Sequence, residues 1–449
     1  MTSNNSEASV ISEPKYPEVM EAPRYSCALG GAISTALGIF GTVPILHSGA
    51  GCGQAHLNGQ AYGCGENAGG PQGGTSTPCS CLVEEHVIFG GENKLRNLIQ
   101  SSIELMDGDL YAVISGCVPA LTGDDVESVV KEFKEKANII SIKTAGFIGN
   151  SYKGYELFFL STIDQLLKPL PVKKGRINIF GVVPYQHLFW KGDLKVLKGT
   201  LQRLGIEANI ILREFNGLAN LLEIPAAELN VVLSPWNGHE IAKSLQEKFG
   251  TSYLTFPGVP VGPKQTSNFL LQLAGRLNIP EEKVQEIIEE EERIAYRFIE
   301  YLGDVHILGL PHPYFAVVAD SGTAIGVTQF LANEMGYLPE TVIITDNPPQ
   351  EARAEIIHQL SVNIESIFKP DIIFESDSHK IRLKLRDRSF LVLLASSLEK
   401  FIAADLGATV HLSVSFPSFD RLILERSYAG FGGGLNLMED ILSKTVAPL

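Results

Sequence analysis

Short apolar runs that alternate with helical stretches constrain the fold of this chain more than any other feature. YAVISGC (Tyr111–Cys117) and INIFGVV (Ile177–Val183) each precede a helical pattern, and the same rhythm resumes at YFAVVAD (Tyr314–Asp320). Strands covered on both faces read as continuous apolar runs, and their alternation with helices is typical of parallel βαβ units. The pattern predicts an α/β fold of doubly wound, Rossmann-like parallel sheets, in which ligands lie beyond the carboxyl ends of the strands.

The length of the chain and its composition shifts predict three such units. At about 100–200 residues per domain, 449 residues allow two to four domains. Segments rich in Pro, Gly or Lys occur at Leu170–Gly175 and His306–Pro313. We therefore predict an N-terminal α/β domain over residues 1–172, a second over 173–305 that ends in a long acidic helix, and a third over 306–449.

The charge balance excludes several classes of partner. The chain has 36 Lys and Arg against 51 Asp and Glu, a net charge of −15, whereas nucleic-acid binding needs clustered positive charge. The first residues lack the pattern of a signal peptide. The apolar segment Cys27–Leu46 contains four glycines and a proline, so we predict a buried helix that leads into a strand rather than a membrane span. We expect a cytoplasmic protein without nucleic-acid or membrane partners.

All six cysteines lie within the first 117 residues. A secreted protein stapled by disulfides would spread its cysteines through the fold. A set gathered at one end of a chain this long indicates metal or iron–sulfur ligation, or redox chemistry. The alternative is a group of unrelated buried thiols, because free cysteine packs as a small apolar side chain.

Three of these cysteines fall at predicted loops. Cys27 precedes a helical segment, Cys52 lies in the glycine-rich HSGAGCGQ (His47–Gln54), and Cys117 ends an apolar strand. Glycines allow the backbone to approach a bulky group and to point N–H groups at anionic sulfur. Because none of the three is in a C-x-x-C pair, they indicate part of a site that another subunit completes.

The remaining cysteines leave their role open. Cys64, Cys79 and Cys81 lie in or beside a glycine-rich stretch, and they are either extra ligands, a redox pair or loop thiols without a metal. The chain contains no G-x-x-x-x-G-K-[ST] motif, so we predict that it does not hydrolyse nucleotide itself, and it contains no H-E-x-x-H or G-x-S-x-G motif.

Taken in order, HSGAGCGQ, EEHVIFGGENKLRNLI (Glu84–Ile99) and SGCVPALTGDDVESVVKEF (Ser115–Phe133) resemble component 1 of nitrogenase and its relatives. Further on, FPSFDRLILERSYAGFGGGLNLMEDIL (Phe416–Leu442) resembles the C-terminal region of the β-type subunit. The resemblance spans essentially the whole chain and implies the nitrogenase component 1 fold. It identifies the chain as β-like, since no cysteine follows Cys117 to hold the active-site cofactor of an α-type subunit, and His411 is interpreted as a structural residue.

The resemblance also implies a site and partners. Cys27, Cys52 and Cys117 would bind half of the eight-iron, seven-sulfur P-cluster, and an α-type subunit would supply the other ligands within an α₂β₂ heterotetramer. An ATP-hydrolysing iron protein would dock over that interface. The iron-containing active-site cofactor and the substrate site would lie on the partner, so the resemblance implies no catalytic residue on this chain. We expect close packing against the partner along Cys27–Leu46.

Two departures bear on the substrate. The chain is glycine-rich after Cys52, and Gly146 stands where a redox-switching serine ligand is expected. They favour relatives such as methylthio-alkane reductase, which cleaves C–S bonds, beside the dinitrogen-reducing enzymes. The alternative function is that of a scaffold subunit for nitrogenase cofactor biosynthesis.

Overall fold

The computed structural model describes residues 24–53, 63–65, 77–303, 314–408 and 410–446. Its strands form sheets of three, four and five strands, and every strand pair within them is parallel. The predicted fold class is therefore confirmed. No helix in the described part of the chain combines the length and the apolar character needed to cross a membrane.

The first sheet has the order β1-β2-β3. Its strands are β1 (Thr42–His47), β2 (Leu110–Ser115) and β3 (Ile139–Lys143), and β2 is buried throughout. The helices of this unit are α1 (Ala28–Leu37), α2 (Glu84–Phe89), α3 (Glu92–Leu105), α4 (Cys117–Thr122), α5 (Val126–Lys131) and α6 (Ser151–Gln165). A 3₁₀ turn, Gly146–Ile148, links β3 to α6.

Helix α1 packs against α6 of the same chain at very close range. A Cβ built on Gly31 would lie 1.9 Å from the Ser151 carbonyl oxygen, and one built on Gly154 would lie 2.0 Å from the Ala28 carbonyl oxygen. Only glycine permits this approach of two backbones. Residues Ala28–Ala36 are thereby buried, so Cys27–Leu46 is a buried helix and strand as predicted. The expected packing of this helix against a partner is wrong, because its faces are already covered by its own chain.

The second sheet has the order β5-β4-β6-β7. Its strands are β4 (Lys173–Phe180), β5 (Glu207–Asn209), β6 (Ala227–Leu233) and β7 (Ser252–Phe256), and its helices are α7 (Trp190–Arg203), α8 (Gly217–Leu222), α9 (His239–Phe249), α10 (Gly262–Leu277) and α11 (Glu281–Glu300). Helix α11 is the predicted acidic helix. It buries Val284, Ile288 and Ala295 on one face, whereas the apolar Ile294 and Phe298 are exposed.

The third sheet has the order β10-β9-β8-β11-β12. Its strands are β8 (Tyr314–Ala319), β9 (Leu338–Ile344), β10 (Asp371–Phe374), β11 (Val392–Ala395) and β12 (Val410–Ser413). Its helices are α12 (Ser321–Asn333), α13 (Gln350–Ser361), α14 (Ser378–Leu385), α15 (Lys400–Asp405) and the C-terminal α16 (Phe431–Val446).

The N-terminal segment crosses to the third sheet before it enters α1. The Arg24 guanidinium forms a buried ion pair with Glu399 at 2.5 Å, and the Tyr25 hydroxyl bonds that of Thr345 at 2.9 Å. A buried ion pair is costly to break on one side only, so it fixes the relative placement of these units. The proposed boundaries at 172 and 305 remain predictions, and the segment His306–Pro313 lies outside the described residues.

Candidate functional site

Two of the predicted thiols converge at the carboxyl edge of the first sheet. Cys117 begins α4 directly after β2, and Cys27 precedes α1. A Cβ built on Gly146 would lie 3.1 Å from the Cys27 sulfur and 3.2 Å from the Cys117 sulfur, so both sulfurs border one point beyond β3. The backbone N–H of Gly146 donates to the Cys117 sulfur at 3.0 Å. Because Gly146 has no side chain, its backbone can approach both sulfurs closely; a side chain at this position would crowd them.

Cys52 and Cys79 lie beyond the adjacent strand, β1. The Cys52 backbone N–H donates to the Gly49 carbonyl at 3.2 Å, and the Cys79 sulfur lies 3.9 Å from the same carbonyl oxygen and 3.6 Å from that of Ser48. Burial raises the pKa of the Cys79 thiol to about 11, although the Cys81 backbone N–H that donates to its sulfur acts in the opposite direction. The edge therefore carries thiols beyond all three strands.

The other two cysteines have different surroundings. Cys81 is exposed and has a positive φ of 48°, which is uncommon outside glycine, and its backbone N–H donates to the Cys79 sulfur at 3.4 Å. Cys64 is buried, and its backbone forms an isolated parallel β-bridge with that of Ser418 in the C-terminal segment. All six cysteines are outside disulfides.

A buried His47–Asp124 pair joins the loops that carry these thiols, and sequence reasoning missed it. The Nε2 of His47 lies 2.9 Å from Asp124 Oδ2, and its Nδ1 lies 3.1 Å from the Ser80 hydroxyl. Asp124 Oδ2 also accepts from the Gly91 N–H at 3.1 Å. Burial lowers the pKa of His47, so the neutral ring donates from Nε2 and accepts at Nδ1. The sequence signal from which this pair could have been predicted is the polar His47 at the end of the mostly apolar strand TVPILH.

Exposed apolar side chains surround this edge. Phe89 at the end of α2 is 82% exposed, Leu121 on α4 is 77% exposed, and Phe147 beside Gly146 is 65% exposed. Ile88 and Ile148 are exposed as well. Large exposed apolar side chains that lie together are typical of interaction surfaces.

A second polar cluster lies where the carboxyl edges of the second and third sheets face each other. Asp320 follows β8 and caps α12, and Asp346 follows β9. Asp346 Oδ2 accepts from Trp236 Nε1 at 2.8 Å and from the Ser321 hydroxyl at 2.6 Å, while its Oδ1 has no partner. Burial raises the pKa of Asp346 to about 6, and the charge of Asp320 adds to the rise.

The cavity at this junction is small and its remaining polar groups are paired. It has a volume of about 40 Å³ and is lined by both aspartates, by His187 and Asp193, and by apolar side chains. Asp193 accepts from His187 Nε2 at 2.6 Å and, at its other oxygen, from the Ser427 hydroxyl and two backbone N–H groups. Burial opposes protonation of His187, but the bond to Asp193 outweighs it and raises the pKa of the imidazole.

Among residues 24–53, 63–65, 77–303, 314–408 and 410–446, no group of three or more His, Cys, Asp or Glu side chains is arranged to hold a metal ion. His411 bonds the Ser396 carbonyl oxygen through Nε2 at 2.9 Å, as expected of a structural residue.

A sequence profile described as nitrogenase component 1 type oxidoreductase matches residues 27–445. The chain belongs to the nitrogenase component 1 family. It is 23% identical to the nitrogenase molybdenum-iron protein beta chain of Methanococcus maripaludis over 93% of each chain. It is 24% identical to the nitrogenase vanadium-iron protein beta chain of Trichormus variabilis, over 89% of this chain and 88% of that one. It is thus a β-like member of this oxidoreductase family.

One relative has a different described role. The nitrogenase iron-molybdenum cofactor biosynthesis protein NifE of Clostridium pasteurianum is 27% identical, over 80% of this chain and 75% of the relative. Among solved structures, the one entitled "Nitrogenase Cp1 at pH 6.5" superposes with a TM-score of 0.78 at 20% identity, covering 97% of this chain and 95% of that chain. That superposition establishes the nitrogenase component 1 fold for this chain.

Proposed function

We propose that this chain is the electron-relaying β-like subunit of a nitrogenase-like reductase, in which Cys27, Cys52 and Cys117 bind this chain's half of an interfacial P-cluster. The observation that carries the proposal is the convergence of the Cys27 and Cys117 sulfurs on Gly146, with Cys52 beyond the neighbouring strand. Iron–sulfur clusters are held by cysteine thiolates, so the donor set at this edge fits the group.

This chain would hold the cluster and tune its electronic properties. When bound, such a cluster accepts and donates single electrons at low potential. The thiols of Cys27, Cys52 and Cys117 would hold it, and the Gly146 N–H that donates to the Cys117 sulfur would stabilise negative charge on that ligand. The glycine turn around Cys52 leaves room for a bulky group, since a Cβ on Gly49 or Gly51 would meet nothing within 4 Å.

The exposed apolar side chains that surround this edge support the partner assignment. An α-type subunit would cover Phe147 and Leu121, complete the cluster and carry the iron-containing active-site cofactor, within an α₂β₂ heterotetramer. An ATP-hydrolysing iron protein would dock over the same interface near Phe89. Removing these side chains from water would stabilise the interface by about 25 cal/mol per Å² of apolar area buried.

The partner subunit would determine the substrate, because the active-site cofactor would lie there. Gly146 in place of a serine ligand favours reductive C–S cleavage of methylthio-alkanes over reduction of dinitrogen. Assays of the purified complex, with its iron protein and ATP, against both substrate classes decide between them.

A second candidate function is supported by the similarity to the Clostridium pasteurianum cofactor-biosynthesis protein. A scaffold subunit would help assemble a metallocluster and would not sustain turnover. Iron analysis separates the two: about eight iron atoms per αβ interface, together with ATP-dependent reduction of either substrate, support the relay. Four or fewer, with no turnover, support the scaffold.

A further inference from the structure

Negative charge is in excess around the cavity of about 40 Å³ between the second and third sheets. Asp193, Asp320 and Asp346 line it with a single imidazole, that of His187, and the described residues supply neither a lysine nor an arginine to its wall. The bond between His187 Nε2 and Asp193, at 2.6 Å, pairs one of the three carboxylates. The wall therefore carries two further carboxylates, Asp320 and Asp346, whose charge no basic side chain of that wall offsets.

The two carboxylates are brought together by neighbouring strands. Strands β8 and β9 pair in parallel with Ala319 opposite Ile344, and Asp320 and Asp346 lie one and two residues beyond these strand ends. Burial raises the pKa of Asp346 to about 6, and the charge of Asp320 adds to that rise, as expected of two carboxyl groups that share a site. A cation bound by both carboxylates would remove this repulsion.

One oxygen of Asp346 lacks the hydrogen bond that a buried carboxylate needs. The residue is 1% exposed, and its Oδ2 accepts from Trp236 Nε1 at 2.8 Å and from the Ser321 hydroxyl at 2.6 Å. Its Oδ1 is buried and has no hydrogen-bond partner within the described ranges. Burying such an atom without a partner is costly. Because Trp236 and Ser321 both engage Oδ2, Oδ1 is the oxygen that remains to bind a ligand.

The size and chemistry of the cavity favour a divalent cation with oxygen ligands. Two carboxylates balance the charge of such an ion, which also takes carbonyl and water oxygens as ligands, so three acidic side chains are not required. A bound water needs about 10–15 Å³ of this kind of space, so the cavity has room for one ion and one or two waters. Ca²⁺ accepts that arrangement more readily than Mg²⁺, which usually keeps several waters in a strict octahedron.

We propose that the cavity between the second and third sheets is a calcium-type cation site, with Asp320 and Asp346 as its carboxylate ligands. The ion stabilises the packing of the two units, because Trp236, which bonds Asp346, follows β6 of the second sheet, whereas both aspartates belong to the third. Binding involves no electron transfer: the carboxylate oxygens donate electron pairs to the ion, and any proton on Asp346 is released to solvent. The inference does not depend on the proposed function.

Equilibrium dialysis of the full-length protein, stripped of metal with EDTA and then exposed to Ca²⁺ at pH 7.5, tests the proposal. The wild type should bind about one Ca²⁺ per chain more than Asp346→Asn or Asp320→Asn, whose affinity at this site should fall at least about tenfold because each variant loses a charged ligand. Mg²⁺ should bind the wild type more weakly than Ca²⁺. The exposed Asp387→Asn is the matched control and should bind as the wild type does. Equal Ca²⁺ uptake by the wild type, Asp320→Asn and Asp346→Asn overturns the proposal.

Thermal unfolding separates loss of the ion from loss of the fold. Asp346→Asn removes a buried charge, so in EDTA at pH 7.5 it should melt at or above the temperature of the wild type. Saturating Ca²⁺ should raise the melting temperature of the wild type and of Asp387→Asn by about 2 °C or more, and should leave that of Asp346→Asn unchanged. K⁺ at matched ionic strength should have no such effect. A rise of the same size in Asp346→Asn would place the calcium elsewhere and contradict the proposal.

Discussion

The carboxyl edge of the first sheet and the junction of the second and third sheets are built by the same kind of fold and carry opposite chemistry. At the first edge, thiols lie beside exposed apolar side chains, with Phe89, Leu121 and Phe147 open to a partner. At the junction, carboxylates, hydroxyls and an imidazole are buried and hydrogen-bonded to one another around about 40 Å³ of space. The carboxyl ends of parallel strands form an edge at which a ligand can bind. The side chains at that edge decide whether it binds a ligand or stabilises the packing of the domains.

The largest effect is expected at the thiol edge. Cys52→Ala, in the complex with the α-type partner, should lose the cluster and lower reductase activity by at least about 100-fold, because loss of a ligand exceeds the loss typical of a supporting residue. Iron analysis and ATP-dependent reduction measure the effect, and Cys81→Ala should retain both properties. A Cys52→Ala complex with full iron content would show that Cys52 is not needed to hold the cluster, and the thiol edge would then not differ in function from the junction.

At the junction, removal of a paired carboxylate should cost stability and leave the cluster intact. Asp193→Ala deprives His187, Ser427 and two backbone N–H groups of their acceptor, at an expected cost of about 3–5 kcal/mol in the free energy of unfolding. Urea unfolding measures the cost, with the exposed Asp387→Ala as control. A folded Asp193→Ala complex that has lost its iron would show that the junction serves the cluster after all.

The pH dependence of the free energy of unfolding provides a second test at the junction, where Asp346 is buried. The folded-state pKa of Asp346 is about 6, above the unfolded value of 3.8, so the folded chain retains a proton that the unfolded chain releases. Stability from this group therefore falls as the pH rises through 6, by about 1 kcal/mol between pH 5 and pH 7. Asp346→Asn, which cannot titrate, should flatten that part of the profile. Parallel unfolding curves for wild type and variant would contradict the burial of a titrating carboxyl group.

The smallest expected change is at Gly146. Because glycine offers no oxygen ligand, the oxidised cluster of the wild type should show none from this position, and Gly146→Ser should introduce one. The serine would meet the Cys27 and Cys117 sulfurs at 3.1 and 3.2 Å from its Cβ, so a small loss of iron is expected as they shift. Spectroscopy of both oxidised proteins decides it, and an oxygen ligand already present in the wild type would be the contrary result.

Most of the fold could be predicted from the sequence because apolar runs and helical periodicity are local signals. Strands such as YAVIS in β2 and FAVVA in β8 occur where these runs predict them. The candidate site was predictable only as a set of residues: motif order singled out Cys27, Cys52 and Cys117, but not their convergence on Gly146. The His47–Asp124–Ser80 network joins residues 33 to 77 positions apart, and such pairings are set by the tertiary fold rather than by local pattern.

The central claim is that this chain holds half of a shared cluster, and iron analysis of size-exclusion fractions tests it most directly. Expressed alone, the chain should be iron-poor and inactive with any iron protein and ATP, because its thiols cannot enclose such a cluster by themselves. Expressed with its α-type partner, it should elute as a brown hetero-oligomer with about eight iron atoms per αβ interface. An iron-replete, active homo-oligomer of this chain would contradict the account.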